Sequence, residues 1–152
     1  METNNSQNGE PLFNRIDQVG VVVKDVDERV RNYETIFGEG AFVIVEGEGQ
    51  ATLADGRGIM IKGKLAFVQL GPVQVELIEI KDGPSIHVDF LKTHGEGIHH
   101  VAKYVEDFDK ELQKFRERGI RVLQQGSGMR RYAYLDTKPF ILELIEGQPM
   151  NK

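Results

Sequence analysis

Cysteine is absent from this chain of 152 residues, which excludes disulfide bonds and thiolate metal ligands. A surplus of positive charge is also lacking, since 19 lysines and arginines stand against 24 acidic residues for a net charge of −5. Without a basic surplus to neutralise phosphates, no nucleic-acid partner is expected. No apolar run approaches the roughly 20 residues that span a bilayer, so no membrane association is expected either.

The first ten residues lack the basic and apolar regions of a signal peptide. We therefore expect residues 1–12 to be a disordered N-terminal segment and the protein to be cytoplasmic, which the absence of cysteine also favours. A length of 152 residues suits one compact domain, or two half-domains that share a core.

What the sequence does contain is a repeat of its own pattern. The segments Gln18–Tyr33 and His100–Phe115 share apolar and acidic positions at a constant offset of 82 residues (100 − 18). The tetrapeptide Glu-Leu-Ile-Glu also occurs twice, at Glu76–Glu79 and at Glu143–Glu146. Self-similarity at a fixed offset indicates a duplicated structural unit.

Each repeat has the hydrophobic pattern of a strand, a helix and three further strands. In the first repeat, Asp25 is expected to cap the helix and Gly38 to end it, and Asp107 is the equivalent cap in the second. Residues 46–63 are rich in glycine and are expected to form a mobile loop or a loose hairpin that becomes ordered on ligand binding. A linker helix is predicted over residues 84–93.

Two pairs of equivalent positions carry residue types that can act as metal ligands: Gln18 with His100, and Glu76 with Glu143. A glutamate within an apolar strand is costly to bury unless it is paired or bound to a cation. One imidazole, one amide oxygen and two carboxylates suit a six-coordinate divalent ion such as Mn, Co, Ni, Mg or Fe, and zinc is also compatible. The small residues Gly20 and Ala102, two positions after the first pair, are expected to leave room for an ion and a substrate.

Each candidate ligand also has a purely structural interpretation. His100 would then be a satisfied core histidine, Gln18 an ordinary strand residue, and the two glutamates partners of an arginine such as Arg15 or Arg121. The aspartate pairs at the two helix starts look like a metal motif, but N-capping explains them better.

Three other polar residues are assigned no firm role. His99 lies on the opposite strand face from His100 and is interpreted as structural or as a support for the site. Arg130 and Arg131 are expected to be solvated, the alternative being contact with an acidic or phosphorylated substrate.

The duplicated pattern and four segments resemble the vicinal oxygen chelate superfamily, and most of all its methylmalonyl-CoA epimerases. The segments are Ile16–Asp25, Val75–Glu79, Gly95–Ala102 and Leu142–Glu146. The resemblance implies an α+β fold with one domain over residues 13–147. Two tandem βαβββ modules, residues 13–82 and 96–147, would form a cup-shaped mixed sheet around a divalent metal.

The resemblance implies Gln18, Glu76, His100 and Glu143 as the metal ligands. Epimerases of this kind usually carry histidine at the position of Gln18, whereas eukaryotic glyoxalase I enzymes are similar to this chain in placing glutamine there. The implied activity is that of a metal-dependent isomerase or epimerase that moves a proton α to a carbonyl or CoA thioester. Glu143 is the first candidate for the base and Glu76 the second.

Epimerisation also requires a second acid, which the sequence does not identify. Lys62, Glu46 and Glu48 fall in the glycine-rich segment, and Ala66 stands where some epimerases carry an acidic residue. The alternative functions are a glyoxalase-like lyase that acts on a small carbonyl substrate and a non-catalytic protein that binds a small molecule. A homodimer is expected from the resemblance.

Overall fold

The computed structural model describes residues 9–148, so most of the predicted N-terminal segment 1–12 lies outside the described residues. Along the described chain, the order of elements matches the two predicted βαβββ modules and the linker helix between them. The elements are β1 (Gln18–Val22), α1 (Val26–Phe37), β2 (Val43–Leu53), β3 (Gly58–Leu70), β4 (Val73–Asp82), α2 (Ile86–His94), β5 (Gly97–Val105), α3 (Phe108–Glu117), β6 (Val122–Ser127), β7 (Arg131–Leu135) and β8 (Ile141–Glu146).

Helix α1 begins and ends where the sequence predicts. The Asp25 carboxylate accepts a hydrogen bond from the backbone N–H of Glu28 at 3.1 Å, which satisfies a free donor of the first turn. Gly38 ends the helix with a φ of 107°, a conformation that side chains disfavour. Asp107 caps α3 in the same way through the N–H of Lys110. These aspartates are therefore capping residues.

The eight strands form one closed barrel in the order β1-β4-β3-β2-β6-β7-β8-β5. The first strands of the two modules, β1 and β5, pair antiparallel, and β2 pairs antiparallel with β6 on the other side of the barrel. Within each module the first and last strands are parallel. The predicted α+β fold with a mixed, curved sheet is thus confirmed.

The pairing of β1 with β5 places a local two-fold axis between them. Gln18 is level with Ala102, and Gly20 is level with His100. Since the repeat offset of 82 residues relates Gln18 to His100 and Gly20 to Ala102, a half-turn exchanges these two pairs. The two modules therefore face each other across the barrel.

Two hydrophobic clusters lie between the barrel wall and the helices, one for each module. Val26 and Val30 of α1 pack against Leu77 of β4, while Phe115 of α3 packs against Leu144 of β8. Burial of such side chains stabilises the fold by about 1.5–3 kcal/mol each. Because strand residues alternate faces, the neighbours of these two leucines point into the barrel.

The glycine-rich segment 46–63 is a regular hairpin, so the alternative of a mobile loop is wrong as a description of its secondary structure. Strands β2 and β3 pair continuously from Val43 to Thr52. A Cβ atom on Gly49 would collide with the backbone oxygen of Ser127, so this glycine allows β2 to meet β6 and close the barrel. Ordering of the hairpin on ligand binding stays a prediction.

Within the part of the chain that the structure describes, none of the helices combines the length and the apolar character needed to cross a bilayer.

Candidate functional site

The four predicted ligands lie on four adjacent strands, β4, β1, β5 and β8. Their side chains all belong to the strand face that points into the barrel, because the alternate residues pack against the helices. The cross-strand pairing arranges them in two neighbouring rows related by the local two-fold axis. One row contains Glu76, Gly20 and His100, and the other contains Gln18, Ala102 and Glu143.

All four side chains are buried, and even the most exposed of them, Glu76, keeps only 9% of its surface accessible. Buried polar atoms in proteins are nearly always hydrogen-bonded. Among the described residues, four buried side-chain atoms have no hydrogen-bond partner, and three of them belong to this set: Gln18 Oε1, His100 Nε2 and Glu143 Oε1. Buried, unpaired ligand atoms on neighbouring strands suit a bound cation.

His100 Nε2 lies 3.0 Å from Glu143 Oε1 without the geometry of a hydrogen bond. The two groups do not form an ion pair, because burial lowers the pKa of His100 to about 3 and raises the pKa of Glu143 to about 8. Two ligand atoms that each lie about 2.1 Å from one ion, at a right angle, are separated by about 3.0 Å. The separation therefore fits two ligands of a common ion.

The Gln18 amide is oriented by its nitrogen. Nε2 donates to Gln74 Oε1 at 2.8 Å and to the Tyr104 hydroxyl at 3.3 Å. The same hydroxyl donates to Gln74 Oε1 at 3.0 Å, which closes a small hydrogen-bonded network. With the nitrogen held on this side, the Gln18 oxygen is directed away from the network and is available as a ligand.

Glu76 lines the same cavity as Glu143 and Gln18. Burial, and secondarily the charge of Glu143, raises the pKa of the Glu76 carboxyl well above its usual range. The alternative salt bridges are absent in the described part of the chain, since Arg15 pairs with Asp17 at 3.0 Å and Arg121 with Asp136 at 3.1 Å. Neither glutamate is therefore neutralised by the arginines considered from the sequence.

Gly20 has a different role from the one expected. A Cβ atom at this position would lie 2.7 Å from Nδ1 of His100 and closer still to Cε1 and Nε2. The imidazole ring therefore fills the space that a side chain on residue 20 would need. The absent side chain makes room for a ligand residue rather than for the ion or the substrate.

His99 occupies a β-bulge in β5. Gly20 is level with His100 but Val21 is level with Ile98, so the intervening His99 is the extra residue. Its Nδ1 lies 2.9 Å from Nδ1 of His100, and this hydrogen bond leaves Nε2 of His100 to face Glu143. His99 thus orients the predicted ligand. The expectation that it lies on the opposite strand face from His100 is wrong, because the bulge interrupts the alternation and brings the two rings together, with their centres 5.2 Å apart.

Sequence reasoning missed His87 and Tyr134. His87, on α2, lines the cavity and places Nε2 2.9 Å from the Tyr134 hydroxyl, while a hydrogen bond from Tyr134 counteracts the raised pKa of Glu143. A signal for Tyr134 existed: it follows Phe67 at the same offset of 67 residues (134 − 67) that relates the two glutamates (143 − 76).

His87, His99 and His100 form an alternative candidate metal site, because one ring nitrogen of each lies within 4.8 Å of the others. Ring nitrogens of His99 and His100 contact each other, and His87 contacts Tyr134. In contrast, Gln18 Oε1 and Glu143 Oε1, which belong only to the predicted set, are buried without a hydrogen-bond partner, and Glu143 Oε1 lies 3.0 Å from Nε2 of His100. We therefore favour the predicted set over the histidine group.

The cavity has a volume of about 390 Å³, and its wall combines three of the predicted ligands, Gln18, Glu76 and Glu143, with apolar side chains such as Leu65 and Phe67. Ala66 lies between these two residues and packs outward in the first hydrophobic cluster, so it is not an acid position of the cavity. Glu46 borders the cavity but is level with Lys64, which binds Asp27 of α1 at 2.7 Å on the outer face.

By the same strand alternation, the side chains of Glu48 and Lys62 point outward with Glu46. Glu46 and Glu48 nevertheless border the cavity, whereas Lys62 does not. A larger groove of about 670 Å³ lies between the β2–β3 hairpin and β6, but it contains none of the predicted ligands.

Comparison with known proteins agrees with the duplicated architecture. Residues 17–134 match the model of the Glyoxalase/Bleomycin resistance protein/Dioxygenase superfamily. The uncharacterized protein YqjC of Bacillus subtilis (strain 168) is 29% identical over 143 residues, which cover 88% of this chain and 93% of that protein.

Solved structures with the same fold include methylmalonyl-CoA epimerases. The enzyme from Mycobacterium tuberculosis is 26% identical with a TM-score of 0.64, over 88% of each chain. A variant of the Streptomyces coelicolor enzyme in complex with 2-nitronate-propionyl-CoA is 24% identical with a TM-score of 0.66, over 90% of this chain and 99% of that one. The present chain belongs to the glyoxalase/bleomycin resistance/dioxygenase superfamily, that is, to the vicinal oxygen chelate proteins.

Proposed function

We propose that this protein is a metal-dependent isomerase or epimerase that moves a proton α to a carbonyl or CoA thioester, in the manner of a methylmalonyl-CoA epimerase. The observation that carries the proposal is that Gln18, His100 and Glu143, on three adjacent strands, each have a buried ligand atom without a hydrogen-bond partner. A similar epimerase at 26% identity supports the reaction class. Another neighbour, described in complex with methylmalonyl-CoA, suggests an acyl-CoA as substrate.

We propose Gln18, Glu76, His100 and Glu143 as the ligands of a divalent ion, with Mn, Co, Ni, Zn, Mg and Fe as the candidates. Nitrogen and oxygen donors without thiolate suit these ions. Bound there, the ion would supply positive charge for the oxyanion that develops on the substrate carbonyl.

The carboxyl groups of Glu143 and Glu76 are proposed to move the proton. Burial raises the pKa of both, so that each carboxylate is a stronger base than an exposed one. Glu143 is the first candidate, and the Tyr134 hydroxyl beside it favours its ionised form. Glu76 and Glu143 come from strands on opposite sides of the β1–β5 pair. An epimerase needs such an arrangement, because a proton leaves one face of the substrate and arrives on the other.

Metal affinity is expected to rise with pH up to at least about 8. The imidazole of His100, with its pKa lowered to about 3, is neutral throughout, whereas the carboxyl of Glu143, with its pKa raised to about 8, must lose a proton to bind. Each proton released changes the affinity about tenfold per pH unit below the pKa. Calorimetric titration with Mn²⁺ at several pH values, in buffers of different ionisation enthalpy, measures both effects.

The same pKa shifts make the stability of the metal-free protein depend on pH. Because the unfolded carboxyls ionise near their usual pKa and the folded ones do not, stability is lost as pH rises from about 4.5 towards 8. Added Mn²⁺ should reverse that loss. A metal affinity that does not depend on pH would contradict the assignment of both glutamates as ligands.

Substitution of Gln18 tests the residue that separates the two kinds of enzyme to which the chain is similar. Gln18→His should retain the metal, since imidazole provides a donor at the equivalent position His100, and should shift preference towards softer ions such as zinc. Gln18→Leu should weaken metal affinity by at least about tenfold. Gln69→Leu is the matched control, because Gln69 also has an unpaired buried oxygen but lies on β3 outside the ligand set.

Equal metal affinity in wild type, Gln18→His and Gln18→Leu would reduce the site to three protein ligands. Such a result would also move the chain away from both the epimerases and the glyoxalase I enzymes.

The function itself is tested by exchange of the α-proton for deuterium across a panel of acyl-CoA thioesters, followed by NMR after metal analysis of the protein. We expect exchange together with inversion at the α-carbon. Exchange without inversion would contradict an epimerase, and turnover of a hemithioacetal would favour the glyoxalase-like lyase suggested by Gln18. A protein without bound metal and without exchange would instead be a small-molecule-binding protein.

A further inference from the structure

The adjacent arginines at the start of β7 have different environments. Arg131 donates two hydrogen bonds to the carboxylate of Asp109, at 2.6 and 3.1 Å, and its guanidinium lies 4.5 Å from the centre of the Phe108 ring. Its charge is therefore neutralised on the outer face of the barrel, beside α3.

Arg130 instead lines the cavity that three of the predicted metal ligands, Gln18, Glu76 and Glu143, also line. Its Nη1 donates to the backbone oxygen of Glu146 at 3.2 Å, and its guanidinium lies 5.2 Å from the centre of the Tyr104 ring. Within residues 9–148, no carboxylate oxygen lies within 4.0 Å of this guanidinium, in contrast to Arg131. A partly buried guanidinium with free N–H donors and no counter-ion is suited to an anionic ligand.

The position of Arg130 is fixed by its neighbours. Gly147 has a φ of 111°, and a Cβ atom there would collide with Nη1 of Arg130, so the arginine occupies the space beside this glycine. The Tyr104 ring supports its other face, and cation–π contact of this kind favours an arginine that is already oriented before a ligand arrives.

Tyr104 also connects Arg130 to the predicted metal ligands. Its hydroxyl accepts a hydrogen bond from Gln18 at 3.3 Å, while its ring faces Arg130. The guanidinium is thus separated from the Gln18 amide by the length of one tyrosine side chain. Glu76, Glu143 and Arg130 line the same cavity, so a ligand within it can contact the carboxylates and Arg130 with different groups.

We infer that Arg130 is a specificity-determining residue that binds an anionic oxygen group of the substrate, either a carboxylate on the acyl group or a phosphate of the CoA. The inference rests on the proposed function for the identity of the substrate. Arg130 recognises charge at a position away from the reacting carbon, and it selects acyl thioesters that carry an anionic group over neutral ones of the same size.

The test measures binding by calorimetry with Mn²⁺-loaded protein and three probes: malonate, its neutral dimethyl ester and free coenzyme A. Arg130→Met should weaken the binding of malonate or of coenzyme A by at least about tenfold and leave that of the dimethyl ester unchanged. The probe that loses affinity identifies the source of the anionic group. The affinity of Arg130→Lys for the same probe should lie between those of wild type and Arg130→Met, because lysine retains the charge but not the planar pair of donors.

Arg131→Met is the matched control, and it should bind every probe within about twofold of wild type. Circular dichroism establishes whether each variant is folded. If Arg130→Met is unfolded, the affinities of Arg130→Lys provide the test. Wild-type affinity of both Arg130 variants for malonate and coenzyme A would overturn the inference, as would equal losses in the Arg130 and Arg131 variants.

Failure of this inference is distinguishable from failure of the proposed function. Loss of malonate affinity in Arg130→Met, without α-proton exchange in the wild type, would support the anion-binding role of Arg130 and contradict the proposed enzymatic activity. Exchange in the wild type, with unchanged binding in Arg130→Met, would reject the anion site alone.

Discussion

His100→Ala is expected to lower the affinity for a divalent ion by more than about a hundredfold while the barrel remains folded. Nε2 of His100 is one of three unpaired buried atoms in the site, and it lies 3.0 Å from its neighbouring ligand atom on Glu143. The hydrophobic clusters that hold the helices to the barrel lie on the opposite strand faces, so they do not depend on this ring. Metal content after gel filtration and calorimetric titration with Mn²⁺ measure the loss.

His94→Ala is the control, because His94 is exposed on α2 and stacks on Phe90 away from the cavity. Metal retained by His100→Ala at wild-type stoichiometry would show the ligand assignment to be wrong. The histidine group would become the better assignment if His87→Ala removed the metal and Gln18→Leu did not.

Gly20→Ala is expected to remove the metal and to destabilise the fold by about 1–3 kcal/mol, the usual result of overpacking a buried site. The added Cβ would occupy the place of the His100 ring, which is itself enclosed by His99 and Tyr134. For a chain of this length, that loss corresponds to a fall in Tm of about 3–10 °C. Thermal denaturation and Mn²⁺ titration report the two effects separately.

Ala102→Gly, at the position equivalent to Gly20, provides the control, since it should cost about 0.5–1 kcal/mol and retain the metal. The double variant Gly20→Ala/His100→Ala completes a double-mutant cycle. Without the imidazole, the new methyl group has space, so its cost in stability should largely disappear. A cost that is the same with and without His100 would contradict the proposed contact.

Much of the fold follows from sequence periodicity alone. The offset of 82 residues predicted two equivalent modules, and the alternation of faces in Val75–Leu77 and Leu142–Leu144 predicted that Glu76 and Glu143 point away from the helices. The repeat is visible by comparing the sequence with itself, and the alternation is local, because a strand residue must lie on one of two faces and the apolar face packs on the helix.

Other features depend on contacts between distant segments and were not predictable in this way. The bulge at His99 arises from its register with β1, and the close packing of Gly20 on His100 needs the pairing of strands that are 80 residues apart (100 − 20) in sequence. The glycines of segment 46–63 indicated a mobile loop or a loose hairpin, but they did not indicate that Gly49 permits the junction of β2 with β6. A glycine does not reveal in sequence whether it permits a turn or a close approach.

The antiparallel pairing of β1 with β5 has a consequence for the symmetry of the site. Had two identical half-length chains met across that axis, the positions of Gln18 and His100 would be forced to carry the same side chain, and a ligand could bind in either of two equal orientations. In a single chain these positions can diverge, and here one is an amide and the other an imidazole. The interior of the barrel is therefore asymmetric, and a substrate bound within it can be held in one orientation with respect to Glu76 and Glu143.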